Sequence, residues 1–212
     1  MLSGGDFWSI MDQVNEDRLR PDETVENTET GAILYDRALV NQISDAHFRA
    51  DTWLRSMPVT GALRAAGRGH TMYVGDGQSE FVLRHYRRGG LPGRVNSDLY
   101  LWLGERRSRP FAEWRLLAAL WAMGLPVPRP AAARYCRVAA FSYTADLLTV
   151  RVPGIRPLSE RLMQSAAGDE FWQGIGEGLR RFHDAGVCHA DLNAYNVQVD
   201  PHDALFLLDF DR

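Results

Sequence analysis

The chain has 212 residues, 45% hydrophobic and 10% aromatic, enough to bury a core as one domain or one domain of two lobes, and this excludes a wholly disordered chain. Its longest apolar run, Leu116 to Pro128, is 13 residues, short of the roughly 20 that a membrane-spanning helix needs. Charge is uneven: residues 1–30 hold eight acids and two arginines, whereas residues 31–212 hold 22 arginines and 19 acids.

All 24 basic residues are arginine. The absence of lysine excludes a Walker A lysine, Schiff-base chemistry and a lysine general base, so any cation that meets phosphate must be a guanidinium. Cys136 and Cys188 have no CxxC spacing and form neither a disulfide framework nor a zinc site, which implies a reducing cytoplasm. Asp6 and Asp12 interrupt the N-terminus, so no secretory signal is read there.

In chain order, residues 1–30 read as an acidic mobile arm, with one helical turn near Phe7–Met11. Ala32 to Tyr35 is a short strand. Ser44 reads as an N-cap, and Phe48, Trp53 and Leu54 give a helical face that runs to Arg55 and stops at Pro58. Gly67-Arg-Gly69 is a tight turn. Strands Thr71–Val74 and Glu80–Tyr86 flank a hairpin turn at Gly75-Asp-Gly77. On the second strand, Val82, Arg84 and Tyr86 share one face, and Phe81, Leu83 and His85 share the other.

A loop from Arg87 to Arg107 follows. Ser108 caps a helix with Pro110 in its first turn and an apolar stripe of Phe111, Trp114, Leu117, Ala118 and Trp121, closed by Gly124. Strands around Ala133–Val138 and Phe141–Val152 come next. Pro153-Gly154 and Pro157 mark a lobe boundary, dividing residues 31–152 from 153–212. The second half reads as helices at Leu158–Ala167 and Asp169–Ala185. A loop at 187–196 then leads into a hairpin of Val197–Val199 and Leu205–Leu208.

The segment Arg84 to Arg115 holds eight arginines against Asp98, Glu105 and Glu113, which points to an anionic partner. No nucleic-acid reader motif accompanies it, and nucleic acid is not expected as a partner. Its guanidinium groups, beside Tyr100 and Trp102, are expected to meet an anionic lipid surface.

The chemistry concentrates in His189-Ala-Asp191-Leu-Asn193-Ala-Tyr-Asn196 and in Leu207-Leu-Asp209-Phe-Asp211. Phosphoryl transfer needs a carboxylate to orient the acceptor hydroxyl and oxygen ligands to hold the divalent metal. Asp191 and Asn196 sit five residues apart in a loop, and Asp209 follows Asp191 by 18. The intervening hairpin can fold Asp209 back beside that loop. Asp191 is therefore the expected catalytic residue, with Asn196 and Asp209 as magnesium ligands. Asp211 is equally readable as a further ligand or a structural acid, and His189 as a packing residue that shapes the loop.

This stretch resembles the catalytic loop and metal-binding segment of protein-kinase-like phosphotransferases. On that resemblance, Gly67 and Gly69 are expected to cover the nucleotide phosphates, where absent side chains allow close backbone approach. Arg84 occupies the strand position of the usual phosphate-contacting lysine, and Glu113 on the next helix is its expected partner acid. The rival reading of Arg84 puts it in a substrate-side patch with Arg87 and Arg88.

Within that superfamily, five runs in family order resemble the Kdo (3-deoxy-D-manno-octulosonic acid) kinases of the lipopolysaccharide kinase family. They are Leu83-Arg-His-Tyr-Arg-Arg-Gly-Gly-Leu91, Ser108-Arg-Pro-Phe-Ala-Glu113, Gly124-Leu-Pro-Val-Pro128, Asp191-Leu-Asn-Ala-Tyr-Asn196 and Asp209-Phe-Asp-Arg212. The resemblance implies an α+β, bilobal protein-kinase-like fold: an N-terminal lobe with an antiparallel sheet and one helix, and a smaller, mostly helical C-terminal lobe. It implies ATP and Mg2+ as cofactors and transfer of the γ-phosphate to a Kdo hydroxyl, usually the 4-position, on Kdo-lipid A. It also implies peripheral work at the cytoplasmic face of the inner membrane during lipopolysaccharide core synthesis. Family members run on past the point matching Arg212 through a basic segment, so a C-terminal lobe cut at Arg212 is the expectation for residues 153–212. The residues leave open a heptose kinase, an aminoglycoside- or choline-type kinase, and a nucleotide-binding pseudokinase.

Overall fold

The computed structural model describes residues 20–58, 71–87 and 98–210. Gly67, Gly69, Arg88, Arg94 and Asp211 lie outside the described residues, as do the expected turns at 7–11 and 67–69. The described chain is α+β, with a large sheet whose strand pairs are all antiparallel and three α-helices. It divides into two compact units, one formed by Pro21–Arg115 with Arg129–Arg151, the other by Leu116–Pro128 with the chain from Val152 onward.

In the first unit the strands are β1 (Glu23–Asn27), β2 (Gly31–Asp36), β3 (Arg55–Pro58), β4 (Thr71–Gly75), β5 (Glu80–His85), β6 (Tyr100–Leu101), β7 (Pro130–Ala139) and β8 (Ser142–Val150). Their order across the sheet is β1-β2-β7-β8-β5-β4-β3, with β6 pairing the far end of β8. Side chains alternate across a strand, so the register separates two layers. Leu83 pairs with Leu148 and belongs to a core with Ile33, Phe48, Phe81 and Ala132. One residue on, Arg84 pairs with Leu147, on the opposite face. That face receives helix α1 (Arg109–Ala122), whose Phe111 ring packs 5.3 Å from Tyr135. Phe111 and Trp114 are fully buried.

Three sequence expectations are corrected here. The segment 21–30 is not a mobile arm: β1 pairs along its whole length with β2, and Arg115 closes an ion pair onto Glu23 at 2.8 Å. Acidic composition hid this because β1 is a mostly exposed edge strand, where alternation is not enforced by burial. The expected helix from Ser44 to Arg55 is two short 3-10 turns, Asp45–Phe48 and Ala50–Thr52, followed by β3. Only Phe48 of its supposed face is fully buried, and Leu54 is exposed. Ser108 precedes α1 with its carbonyl accepting from Ala112 N–H, but its buried hydroxyl makes no capping bond. Strand β6 and the strand Arg156–Pro157 (β9) lie outside the sequence expectations, being two residues each.

In the second unit, α2 (Leu158–Gln164) and α3 (Asp169–Asp184) accompany a three-stranded sheet of order β11-β10-β9 (Leu205–Leu207, Val197–Val199, Arg156–Pro157). Its core contains Ile175, Phe182, Val187, Val197, Val199, Leu205 and Leu207. Helix α3 stops where Gly186 takes φ +73°, letting Val187 N–H donate back to Phe182 O at 2.8 Å.

Buried charge is paired. Asp36 accepts both Nε and Nη2 of Arg129, at 3.0 and 2.6 Å. Asp146 accepts two bonds from Arg134, at 3.0 and 2.7 Å, and one from His85 Nδ1 at 2.7 Å. That last bond is the main reason His85 titrates above its ordinary value, against the opposing effect of burial.

Two outcomes are expected. A Cβ at Gly31 would sit 2.0 Å from the Tyr135 carbonyl oxygen, a backbone contact no rotamer relieves; Gly31→Ala should cost about 2 kcal/mol or more in urea denaturation. His85 holds its proton more tightly when folded, so its stabilisation is complete below about pH 6.5 and is lost as pH rises through the higher folded value. The urea midpoint of the native chain should therefore fall between about pH 6 and about pH 8, and His85→Gln should flatten that fall.

Candidate active site

The loop between α3 and β10 carries Asp191, Asn193 and Asn196. Three side chains shape it. His189 Nε2–H donates to Leu208 O at 2.8 Å, and its Nδ1 accepts Asp191 N–H at 3.2 Å. Only the neutral ring protonated on Nε2 makes both bonds. His189 is thus a loop-shaping residue, as the sequence reading expects. Asn193 Nδ2 donates to Asp191 O at 2.9 Å, while its Oδ1 accepts Tyr195 N–H and Asn196 N–H at 2.9 and 3.1 Å. Asn196 Nδ2 also donates to Asp191 O, at 2.8 Å, and lies 3.5 Å from Asp191 Oδ2.

Asp191 therefore has its peptide groups held from three sides while its carboxylate stands beside the Asn196 amide. The bond to a carbonyl identifies the Asn196 nitrogen and turns Oδ1 the other way. Leu208 is gripped at both ends: its N–H donates to Asn196 O at 3.0 Å and its O accepts from His189. The next residue, Asp209, leaves the hairpin at this point with φ +67°, a left-handed conformation uncommon for a residue with a Cβ. The structure thus brings Asp191, Asn196 and Asp209 to one locality. The donors are amide and carboxylate oxygens, the hard set that suits a magnesium ion. Asn193 was missed as a site residue, although an Asn in a turn that bonds the backbone two residues on is a recognisable loop former.

In the first unit, Arg84 Nη2 donates to Glu113 Oε2, and Tyr86 Oη donates to the same oxygen. Glu113 is 3% exposed and Tyr86 equally so. The guanidinium carbon of Arg84 lies 4.5 Å from the centre of the Tyr86 ring. The expected alternation of β5 therefore holds, and Arg84 and Glu113 are paired. Tyr86 is the residue to which sequence reasoning assigns no site role: it binds the partner acid and underlies the cation. Its place on the Arg84 face was the available signal.

The arginine-rich segment is less available than its count suggests. Arg87 Nε is 3.3 Å from Asp98, Arg115 pairs with Glu23, and Arg109 lies 5.0 Å from the centre of the Tyr100 ring. Tyr100 is 4% exposed, so it is not a surface aromatic. Trp102 is half-buried, its ring 4.6 Å from that of Tyr135. Among the described residues, no helix is long and apolar enough to cross a membrane.

Residues 60–212 match the family model described as the lipopolysaccharide kinase (Kdo/WaaP) family. The chain is 38% identical over 180 residues to the 3-deoxy-D-manno-octulosonic acid kinase of Photobacterium damsela subsp. piscicida, covering 85% of this chain and 74% of that protein. It is 42% identical over 183 residues to the protein of the same name from Stenotrophomonas maltophilia (strain K279a), covering 86% and 71%. The identity is 43% over 183 residues, with the same coverage, for that of Xanthomonas axonopodis pv. citri (strain 306). The class defined by these matches is a phosphotransferase that acts on a hydroxyl acceptor. Within it, the chain belongs to the lipopolysaccharide kinase (Kdo/WaaP) family.

The pair of half-buried Arg84 with buried Glu113 yields a stability test, because removing the partner of a buried charge costs more than removing both. Glu113→Leu alone should lose about 3 kcal/mol in urea unfolding, and Arg84→Met added to it should recover a measurable part. Additive losses would mean that the pair carries no coupling.

Proposed function

We propose that this protein is a Kdo kinase, transferring the γ-phosphoryl group of ATP to the 4-hydroxyl of the Kdo sugar on Kdo-lipid A in lipopolysaccharide core synthesis. The observation that carries the reading is the meeting of Asp191, Asn196 and Asp209 at one loop, in a chain 38–43% identical to proteins named for that reaction. The intact acid and amide set argues against a pseudokinase. The relatives' names favour Kdo over heptose, aminoglycoside or choline as acceptor.

On this reading the unit containing the large sheet is the nucleotide-binding lobe, and the unit with the catalytic loop is the second lobe of a protein-kinase-like fold. Asp191 accepts a hydrogen bond from the acceptor hydroxyl and takes its proton as the new P–O bond forms and the bond from the γ-phosphorus to the β–γ bridging oxygen breaks, releasing ADP. His189, Asn193 and Asn196 fix the backbone from which that carboxylate projects. Asn196 and Asp209 would hold the magnesium, which supplies charge neutralisation for the phosphates. Arg84 is oriented by Glu113 and Tyr86 and contacts phosphate oxygens with its remaining donors. The acceptor is an anionic glycolipid, so the enzyme works as a peripheral protein at the cytoplasmic face of the inner membrane.

The test is radiolabelled ATP with purified Kdo-lipid A, with heptosylated core and an aminoglycoside as competing acceptors. Label should pass to Kdo-lipid A; transfer to a competitor alone would overturn the reading. Asp191→Asn should lower turnover at least about a hundredfold with little change in folding. Asp209→Ala should abolish the strengthening of nucleotide binding by magnesium. Arg84→Ala should raise KM for ATP while leaving KM for the acceptor nearly constant, and the opposite split would move Arg84 to the substrate patch.

A further inference from the structure

We propose that the end of the large sheet formed by β6 and the β7–β8 turn is a membrane-docking ridge, and that its partner is the surface of a bilayer carrying anionic headgroups. It deepens the reading of the acceptor as a membrane glycolipid, and rests on that reading for its purpose.

Four apolar side chains, Leu101, Leu103, Val138 and Phe141, are 58–75% exposed. They come from two chain segments that the sheet holds together. Leu101 pairs with Ser142, Trp102 N–H donates to Phe141 O at 2.9 Å, and Ala139 pairs with Ser142 across the turn. Beneath them the packing is firm: the Tyr100 and Tyr143 rings are buried 5.7 Å apart, and Trp102 packs against Tyr135 and Tyr143. The ridge is thus an exposed apolar edge on a rigid aromatic base. Exposed large apolar residues scattered singly need no explanation, whereas four on two backbone-paired segments at one end of a sheet do.

Charge selects the partner. Residues 100–109 and 137–142 hold Arg106, Arg107, Arg109 and Arg137 against one acid, Glu105. Glu105 Oε2 already accepts the Tyr135 hydroxyl at 3.0 Å. Arg106 and Arg107 are exposed in a 3-10 turn directly after Leu103 and Gly104. Arg137 lies 4.6 Å from the centre of the Trp102 ring and donates to Ala140 O at the turn. Exposed apolar side chains with arginines in the same two segments match the interface of an anionic bilayer, where the apolar tips enter the acyl boundary and the cations meet headgroup phosphates. A soluble acidic protein would match the arginines but not the ridge.

The experiment uses the 212-residue chain and sedimentation with two vesicle types, pure phosphatidylcholine and phosphatidylcholine mixed with phosphatidylglycerol. The native chain should bind the anionic vesicles, less so as salt rises. Leu103→Ser/Phe141→Ser should weaken that binding at least about tenfold, and Arg106→Gln and Arg107→Gln about fivefold each. Phosphorylation of a Kdo-bearing oligosaccharide freed of acyl chains should be the same in all variants and in the native chain. If the native chain phosphorylates no Kdo acceptor, the functional reading fails while the vesicle result still stands or falls alone. Vesicle binding unchanged in the ridge variants, or equal on neutral vesicles, overturns the proposal. So does a change confined to self-association in analytical ultracentrifugation, which would make the ridge a contact between copies of this chain.

Discussion

A sheet packed on both faces makes an unpaired charge costly, and the first unit is organised by that constraint. Strand β5 must carry Arg84 and His85 in succession, and the alternation of the strand sends them to opposite layers. Arg84 meets Glu113 and Tyr86 beneath α1; His85 meets Asp146, itself held by Arg134. The register with β8 decides both matches, since Leu147 and Asp146 are the residues opposite. A slip of one residue would exchange the layers and leave Glu113 and Asp146 buried without their cations. Pairing of charge and pairing of strands are therefore one specification.

The second unit solves a different problem, that of holding an irregular loop rigid without a sheet. Its means is side-chain amide and imidazole bonding to the backbone. His189, Asn193 and Asn196 supply six such bonds, at 2.8–3.2 Å, to residues 191, 195, 196 and 208. The shared nodes are Asp191 and the Leu208 peptide. A loop tied in this way keeps its carboxylate in a fixed direction, the property a hydroxyl-orienting group requires.

The candidate site was legible because its residues are near in sequence and chemically marked. Asp191, Asn196 and Asp209 fall within one loop and one short hairpin, so local geometry alone can join them. The strands and helices with strong burial contrast, such as β5, α1 and α3, were legible for the same reason. What escaped detection depended on partners far along the chain. β1 has too few buried positions to show alternation, and its place follows from β2 and Arg115. The polar and apolar residues of 44–55 mimic helical spacing, yet the segment folds as short turns against a core assembled from five other strands and loops. Tyr100 carries no mark of burial until β8 is set beside it.

The absence of lysine acquires a structural meaning at Arg84. An ammonium at the end of a flexible stem can ion-pair with Glu113 but has no extended planar face. A guanidinium can donate to the carboxylate while its carbon sits over the Tyr86 ring, both of which are observed here. Tyr86 completes the arrangement by donating to the same carboxylate oxygen, so that cation, ring and acid constrain one another. Such a triangle needs a Tyr two residues after the Arg on the same strand face, with the acid on the helix above. A lysine in place of Arg84 would retain the charge and lose one side of the triangle. The positioning of this cation is thus a property of three residues, which pairing alone would not provide.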